Sequence, residues 1–282
     1  MDILTPIASA ILQASSVTLD KIILNIKKVT YKTYTGISFP LILLINLIIF
    51  LIFRPEISSP MFSILLIFLI ILSSASAIIG NLFFYKALKS DCLNEMEAVV
   101  LFTNIPLILF TALFFSSERN YLIIVLALIA SLAIIWSHWK NHHLKFAKPV
   151  LPYLIFALII SPFRGIISKV LLQTWSPISL QLATSILPAL FFFIFFFKSV
   201  KRTPNKKAFF LLLATNILTS IAWILYFFSY QRIGVIQTVL IFSLQPLLVY
   251  FSSILIIKEK FHWKKFLAFM IILGCIAISQ IL

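Results

Sequence analysis

Arg164 is the residue whose type and position point most directly to chemistry. It sits in Ser161-Pro162-Phe163-Arg164-Gly165, about fourteen residues into an apolar run. At about 1.5 Å of rise per residue, that is roughly 20 Å from the start of a helix. A charge so deep in an apolar helix is costly and normally faces a polar cavity. A guanidinium in a cavity can hold a carboxylate or phosphate through paired hydrogen bonds. A structural ion pair and a side chain that snorkels to the surface are the alternatives. Pro162 and Gly165 are expected to loosen the helix at this point.

Other polar residues fall in the same kind of run. Glu95 and Glu97 open one helix, where a carboxylate either caps the N-terminus or, for the deeper Glu97, partners Arg164 or carries a proton. A second helix holds Ser73, Ser74, Ser76, Gly80, Asn81 and Tyr85, and a third holds Asn216, Trp223, Tyr226 and Tyr230. The serines suit close helix packing. Asn81, Tyr85, Trp223 and Tyr226 are candidates for a binding site. Pro106 and Pro246 each remove an intrahelical hydrogen bond and predict bends that serve either as gates or as static kinks. There is no HExxH, nucleophile elbow or phosphate-cradling glycine loop. His138 and His142 lie beside Trp139 and Lys140, an interfacial setting rather than a metal site. Cys92 and Cys275 fit no metal or redox spacing. No catalytic residue, metal or cofactor is expected.

These residues need apolar helices to position them. Of 282 residues, 62% are hydrophobic and 11% charged, with a mean hydropathy of +1.11. A water-soluble surface carries about 25% charged residues. The deficit and the repeated runs of about 20 apolar residues predict membrane-spanning helices. The expected spans are 3–24, 34–53, 62–86, 96–115, 121–139, 150–172, 178–197, 208–230, 235–257 and 264–282. Their connections are too short to hold a soluble domain. The segment MDILTPIASAIL lacks a basic n-region and reads as the first helix rather than a signal peptide.

The net charge of +15 resides in the connections, which excludes a nucleic-acid surface and fits lipid headgroups instead. Eighteen Lys and Arg follow the odd-numbered spans, whereas Arg54, Arg119, Lys169 and Arg232 lie on the other side. That bias predicts both termini outside. The setting is a multi-pass protein of a bacterial inner membrane, either monomer or homodimer, with the lipid bilayer and a small molecule as its partners.

The halves repeat. A shift of 148 places Lys21 on Lys169, Pro40 on Pro188 and Arg54 on Arg202. A shift of 140 places Phe102-Thr103-x-x-Pro106 on Phe242-Ser243-x-x-Pro246, and 141 places Glu118-Arg119 on Glu259-Lys260. Five spans per half force the second copy into the membrane inverted. The expected fold is therefore all-α, with ten transmembrane helices in two inverted five-helix repeats, 1–145 and 146–282.

The stretch from Phe228 to Pro246, then Lys258-Glu259-Lys260 and a last helix with Gly274, resembles the drug/metabolite transporter superfamily in its EamA-like ten-helix group. Tyr85 to Ser90, Asn104-x-Pro106 and Glu118 carry the same pattern in the first half. Two departures stand out. Ser117 and Lys258 replace the usual glycine before the loop glutamate, and the charge bias is opposite to that of members with cytoplasmic termini. The resemblance implies a cavity lined by the first, third, fourth, sixth, eighth and ninth helices, which adds Gln13, Ser16, Asn104 and Gln245 as candidates. It also implies a secondary transporter working by alternating access. An arginine among aromatics points to a metabolite with an anionic group, such as an amino acid. Efflux of cationic or apolar drug-like compounds is the alternative use of such a cavity, and Glu97 would suit it. A lipid-modifying enzyme requires acid/base clusters that are missing from the sequence, and a non-transporting adaptor requires larger loops.

Overall fold

The computed structural model describes residues 3–27, 29–89, 93–137, 150–200, 206–252, 254–255 and 261–281. Among them there is no strand. The helices are α1 (Leu4–Asn25), α2 (Tyr31–Phe53), α3 (Ile64–Lys89), α4 (Leu93–Phe114), α5 (Tyr121–Ser137), α6 (Leu151–Ile159), α7 (Ser161–Leu171), α8 (Pro177–Val200), α9 (Lys206–Arg232), α10 (Val235–Phe242), α11 (Gln245–Ser252) and α12 (Trp263–Ile281). Seven stretches are long and apolar enough to cross a membrane: α1, α2, α3, α8, α9, α10 with α11, and α12. The bent pair α6–α7 makes an eighth, and Thr103–Phe114 and Tyr121–Ser137 are shorter apolar helices. The protein is thus an integral, multi-pass membrane protein. Its exterior carries bare Leu51, Ile64 and Phe195, a surface that lipid solvates and water does not.

Two expected helices are broken. The span 150–172 divides into α6 and α7, with a 41° bend at Ile160. Pro162 causes the break from its own side: at the first turn of α7 its missing N–H costs nothing, but its ring forbids a straight helix before it. Gly165 does not loosen the helix. It is helical and admits a neighbour, because a Cβ there would meet Leu107 Cδ1 at 2.6 Å. The span 235–257 divides at Ser243–Leu244, with Pro246 the second residue of α11. Pro106 behaves differently, lying inside an unbroken α4.

Polar side chains end the helices. Thr30 accepts from the Thr33 N–H at 3.1 Å, Asn120 from Leu122 at 3.1 Å, and Ser176 from Ser179 at 3.1 Å, each satisfying a donor the helix cannot. Lys21 and Lys89 exchange roles across two helices. Lys21 Nζ donates to Leu88 O at 2.9 Å, and Lys89 Nζ donates to Leu24 O. Lys21 therefore lies buried within α1 rather than in the connection that follows it, and Lys265 is likewise buried in α12.

Glu118 holds three elements together. Its carboxylate pairs with Lys169 Nζ at 2.7 Å. It also accepts the N–H groups of Val235 at 2.9 Å and Ile236 at 3.2 Å, capping α10. Gly234 makes this possible, since it has φ +85° and a Cβ on it would lie 2.7 Å from both carboxylate oxygens. Along α1 and α9 a run of hydroxyls zips the helices. Ser9 Oγ donates to Ala222 O at 2.8 Å, Ser16 Oγ and Thr215 Oγ1 hydrogen-bond each other at 2.9 Å, and Ser16 also bonds Thr219.

Gly234→Ala is expected to cost about 1–3 kcal/mol, from a strained positive φ and displacement of the carboxylate. Thermal unfolding in detergent measures this; an unchanged midpoint would mean that Glu118 does not cap α10. Ser16→Ala is expected to cost about 0.6–1.7 kcal/mol, the range for hydrogen bonds between membrane helices. The same melts read it.

Candidate functional site

The helices enclose a cavity of about 280 Å³. Its walls come from α1–α4 and α6–α11, whereas α5 and α12 pack on each other and contribute none of the described lining. Among the described lining residues the only charged groups are Arg164 and Asp20.

Arg164 enters from α7, one turn past the bend that turns this helix. Its guanidinium carbon lies 5.6 Å from the centre of the Trp223 ring, a cation–π contact. The phenols of Tyr153, Tyr226 and Tyr230 are its electrostatic neighbours. Tyr226 and Tyr230 hydrogen-bond each other at 2.8 Å, and Tyr226 packs edge-on against Phe242 at 4.7 Å. These aromatics flank the guanidinium without an ionised acidic group among them. Arg164 has no carboxylate partner among the described residues.

Asp20 sits on α1 and is 3% exposed. Its Oδ1 accepts from Thr215 Oγ1 at 2.6 Å and from the Tyr34 hydroxyl, and its Oδ2 is 3.4 Å from the Tyr85 hydroxyl. Between Asp20 and Arg164 runs an aromatic shelf. Tyr85 meets Phe84 at 5.0 Å between ring centres, and Phe84 meets Tyr153 at 5.6 Å.

The cavity gathers Gln13, Asn81, Tyr85, Asn104, Arg164, Trp223, Tyr226 and Gln245, eight of the residues expected to bind solute, along with Gly165. Gln13 Oε1 is buried and has no hydrogen-bond partner, so it is an acceptor waiting for a donor. Asn81 Nδ2 turns back to Ala77 O at 2.8 Å, and Asn104 Nδ2 reaches Ser243 Oγ at 3.5 Å. Ser16 is not in the lining; its hydroxyl is spent in the α1–α9 zipper. Pro106, Pro162 and Pro246 shape the backbone and do not line the cavity. The side chain of Glu97, like His138 and His142, lies outside the described residues.

Asp20 was not among the sequence candidates, nor were Tyr34, Thr215, Gln181, Thr184 and Ser185. A signal for Asp20 exists. Gln13, Val17 and Asp20 recur at helical spacing, so they share one face. The adjacent Lys21 hid it, because a charged pair at the end of an apolar run reads as the start of a connection. Tyr34 and Thr215 carry no such signal, since nothing in the sequence places them against α1.

A crystal structure of another protein matches the fold with a TM-score of 0.70 at 17% identity, covering 98% of this chain and 95% of that one. At that identity the likeness speaks to fold alone. No curated protein sequence matches. Residues 148–280, which bring α6–α11 to the cavity, match the EamA-like transporter family, whose members are transporters rather than enzymes. That family lies within the drug/metabolite transporter superfamily, and the match covers the second half of this chain.

Proposed function

We propose that this protein is a secondary transporter that carries a small organic metabolite bearing an anionic group, amino acids among them, by alternating access through the central cavity. One observation carries the reading: a guanidinium faces the cavity and forms no ion pair with any carboxylate among the described residues. A buried, unpaired cation is costly, and an incoming carboxylate or phosphate removes that cost while gaining charge-assisted hydrogen bonds. The aromatic rim and the acceptor of Gln13 provide the remaining contacts, and Asn81, Tyr85, Asn104 and Gln245 line the same space.

The same reading takes the twelve helices as ten spans in two inverted repeats, 1–145 and 146–282. Packing supports it. Residue mates under the repeat place α2 with α8 and α5 with α12, and each of these pairs is in contact. Exchanging the halves turns the α1–α9 contact into the α7–α3 contact, and both exist. An axis of this kind allows the walls to rock about a fixed site. The proposed setting is a bacterial inner membrane with both termini outside, the protein being a monomer or homodimer.

A second reading, export of cationic or apolar drug-like compounds, draws on Asp20 and the rings that line the same cavity. A thermal-shift screen of purified protein against amino acids, carboxylates, organic phosphates and lipophilic cations separates the two. A bound solute at about 100 times its Kd stabilises the fold by about 2.7 kcal/mol. Anionic solutes are expected to stabilise the wild type. Arg164→Gln is expected to weaken their binding by about 1.5–3 kcal/mol, roughly tenfold to a hundredfold. Stabilisation by lipophilic cations that survives in Arg164→Gln would favour export of such compounds and contradict the anion reading.

A further inference from the structure

We propose that Asp20 is the proton site of this cavity and that its proton travels with the anion held at Arg164. The coupling rests on the reading of Arg164 given above; the proton site does not.

Asp20 is a buried carboxylate in the last third of α1 that meets no cation among the described residues. The elements packed on α1 are α2, α3, α9, α10 and α11. From α2, Tyr34 faces it as a donor, and from α3, Tyr85 does the same. Lys89, also on α3, donates to Leu24 O. From α9 the group facing it is the Thr215 hydroxyl. The tyrosines farther along α9, Tyr226 and Tyr230, bond each other. α10 contains no ionisable residue, and on α11 Tyr250 lies under Lys265 at 4.4 Å. On α1 itself, Lys21 donates to Leu88 O. A buried carboxylate in neutral company resolves its charge by taking up a cation.

A proton fits this site and larger cations do not. The carboxylate is 3% exposed and three hydroxyls already face its oxygens, which leaves an ammonium group little surface to pair with. A hard metal ion needs about six oxygen lone pairs aimed at one point. Here the Tyr34 and Thr215 hydroxyls aim their hydrogens at Oδ1, and α1 is an unbroken helix from Leu4 to Asn25 with its carbonyls in use. Oδ1 already holds two hydrogen bonds. Oδ2 has only the long contact to Tyr85, and its spare lone pair is the place for the proton.

Charge balance then couples the two sites. Among the described lining residues, with Asp20 ionised and no solute bound, its charge cancels that of Arg164. An anion alone leaves one net negative charge, and a proton alone leaves one net positive charge. Proton and anion together restore neutrality. Walls that rearrange in hydrocarbon do so at least cost when the cavity is neutral. For a solute of net charge −1, the empty and the doubly loaded states are therefore the ones that interconvert, which makes the protein an electroneutral symporter of a proton with a monoanion; an acidic amino acid fits that charge and a neutral zwitterion does not.

Infrared difference spectra of the full-length protein in lipid nanodiscs, recorded between about pH 5 and about pH 8, test the proton site. The wild type is expected to show a protonated-carboxyl C=O band at the acid end that is gone at the alkaline end. Asp20→Asn is expected to lose that band. Thr215→Val keeps the side-chain shape but removes one hydrogen bond, and is expected to shift the band's frequency without deleting it; this variant decides the matter if Asp20→Asn does not fold. A wild type without the band, a band that survives in Asp20→Asn, or a band unmoved in Thr215→Val would each overturn the proposal. A metabolite screen without a stabilising anion would overturn the reading of Arg164 and leave an Asp20 band untouched, so the two failures are distinguishable.

Discussion

Hydrocarbon offers no hydrogen-bond partner, and many of the described polar side chains answer that constraint within the protein, although Asn46, Thr111, Asn216 and Ser220 keep buried polar atoms without a partner. Several hydroxyls fold back on their own helix, as Thr18 does to Ala14, Ser131 to Ala127 and Thr184 to Leu180. Others zip α1 to α9, and Lys21 and Lys89 stop the carbonyl ends of neighbouring helices. Against that background of local satisfaction, Arg164 and Asp20 stand apart. Each presents a charge to the same cavity, and neither meets an opposite charge among the described residues. Function is read from this difference between polar groups that are satisfied internally and those held open.

The helix that carries Arg164 is anchored five residues further on. Lys169 binds Glu118, and the same carboxylate caps α10. One acidic side chain thus links the turn after α4, the end of α7 and the start of α10. At its other end α7 meets the 41° bend. The broken span α10–α11 shares the Glu118 anchor, so the end of α7 and the start of α10 are held to the same carboxylate.

Much of this was legible from the sequence, for physical reasons that also explain the gaps. Long apolar runs announce helices, because only a helix satisfies its own backbone in lipid. Arg164 stood out because nothing charged surrounds it in the sequence. Asp20 and Lys21 were adjacent, near the end of a run, and looked like solvated charges. In the fold they diverge, one toward the cavity and one toward the end of α3. Pro162 and Pro246 were legible as breaks, yet Pro106 looks the same in sequence and sits in a continuous helix. Whether a proline breaks a helix depends on tertiary support for the carbonyl it frees, which local sequence does not record. The zipper partners Thr215 and Thr219 were invisible for a similar reason: only packing brings α9 to α1.

Aqueous access to position 164 tests the arrangement most directly. In a background with Cys92 and Cys275 replaced, Arg164→Cys in intact membranes is exposed to a charged, water-soluble thiol reagent and, separately, to a lipid-soluble one. A cavity-facing residue reacts with the water-soluble reagent, and a solute that stabilises the protein slows that reaction. Reaction with the lipid-soluble reagent alone would place the side chain against acyl chains, and the cavity would then have no cation with which to hold an anion.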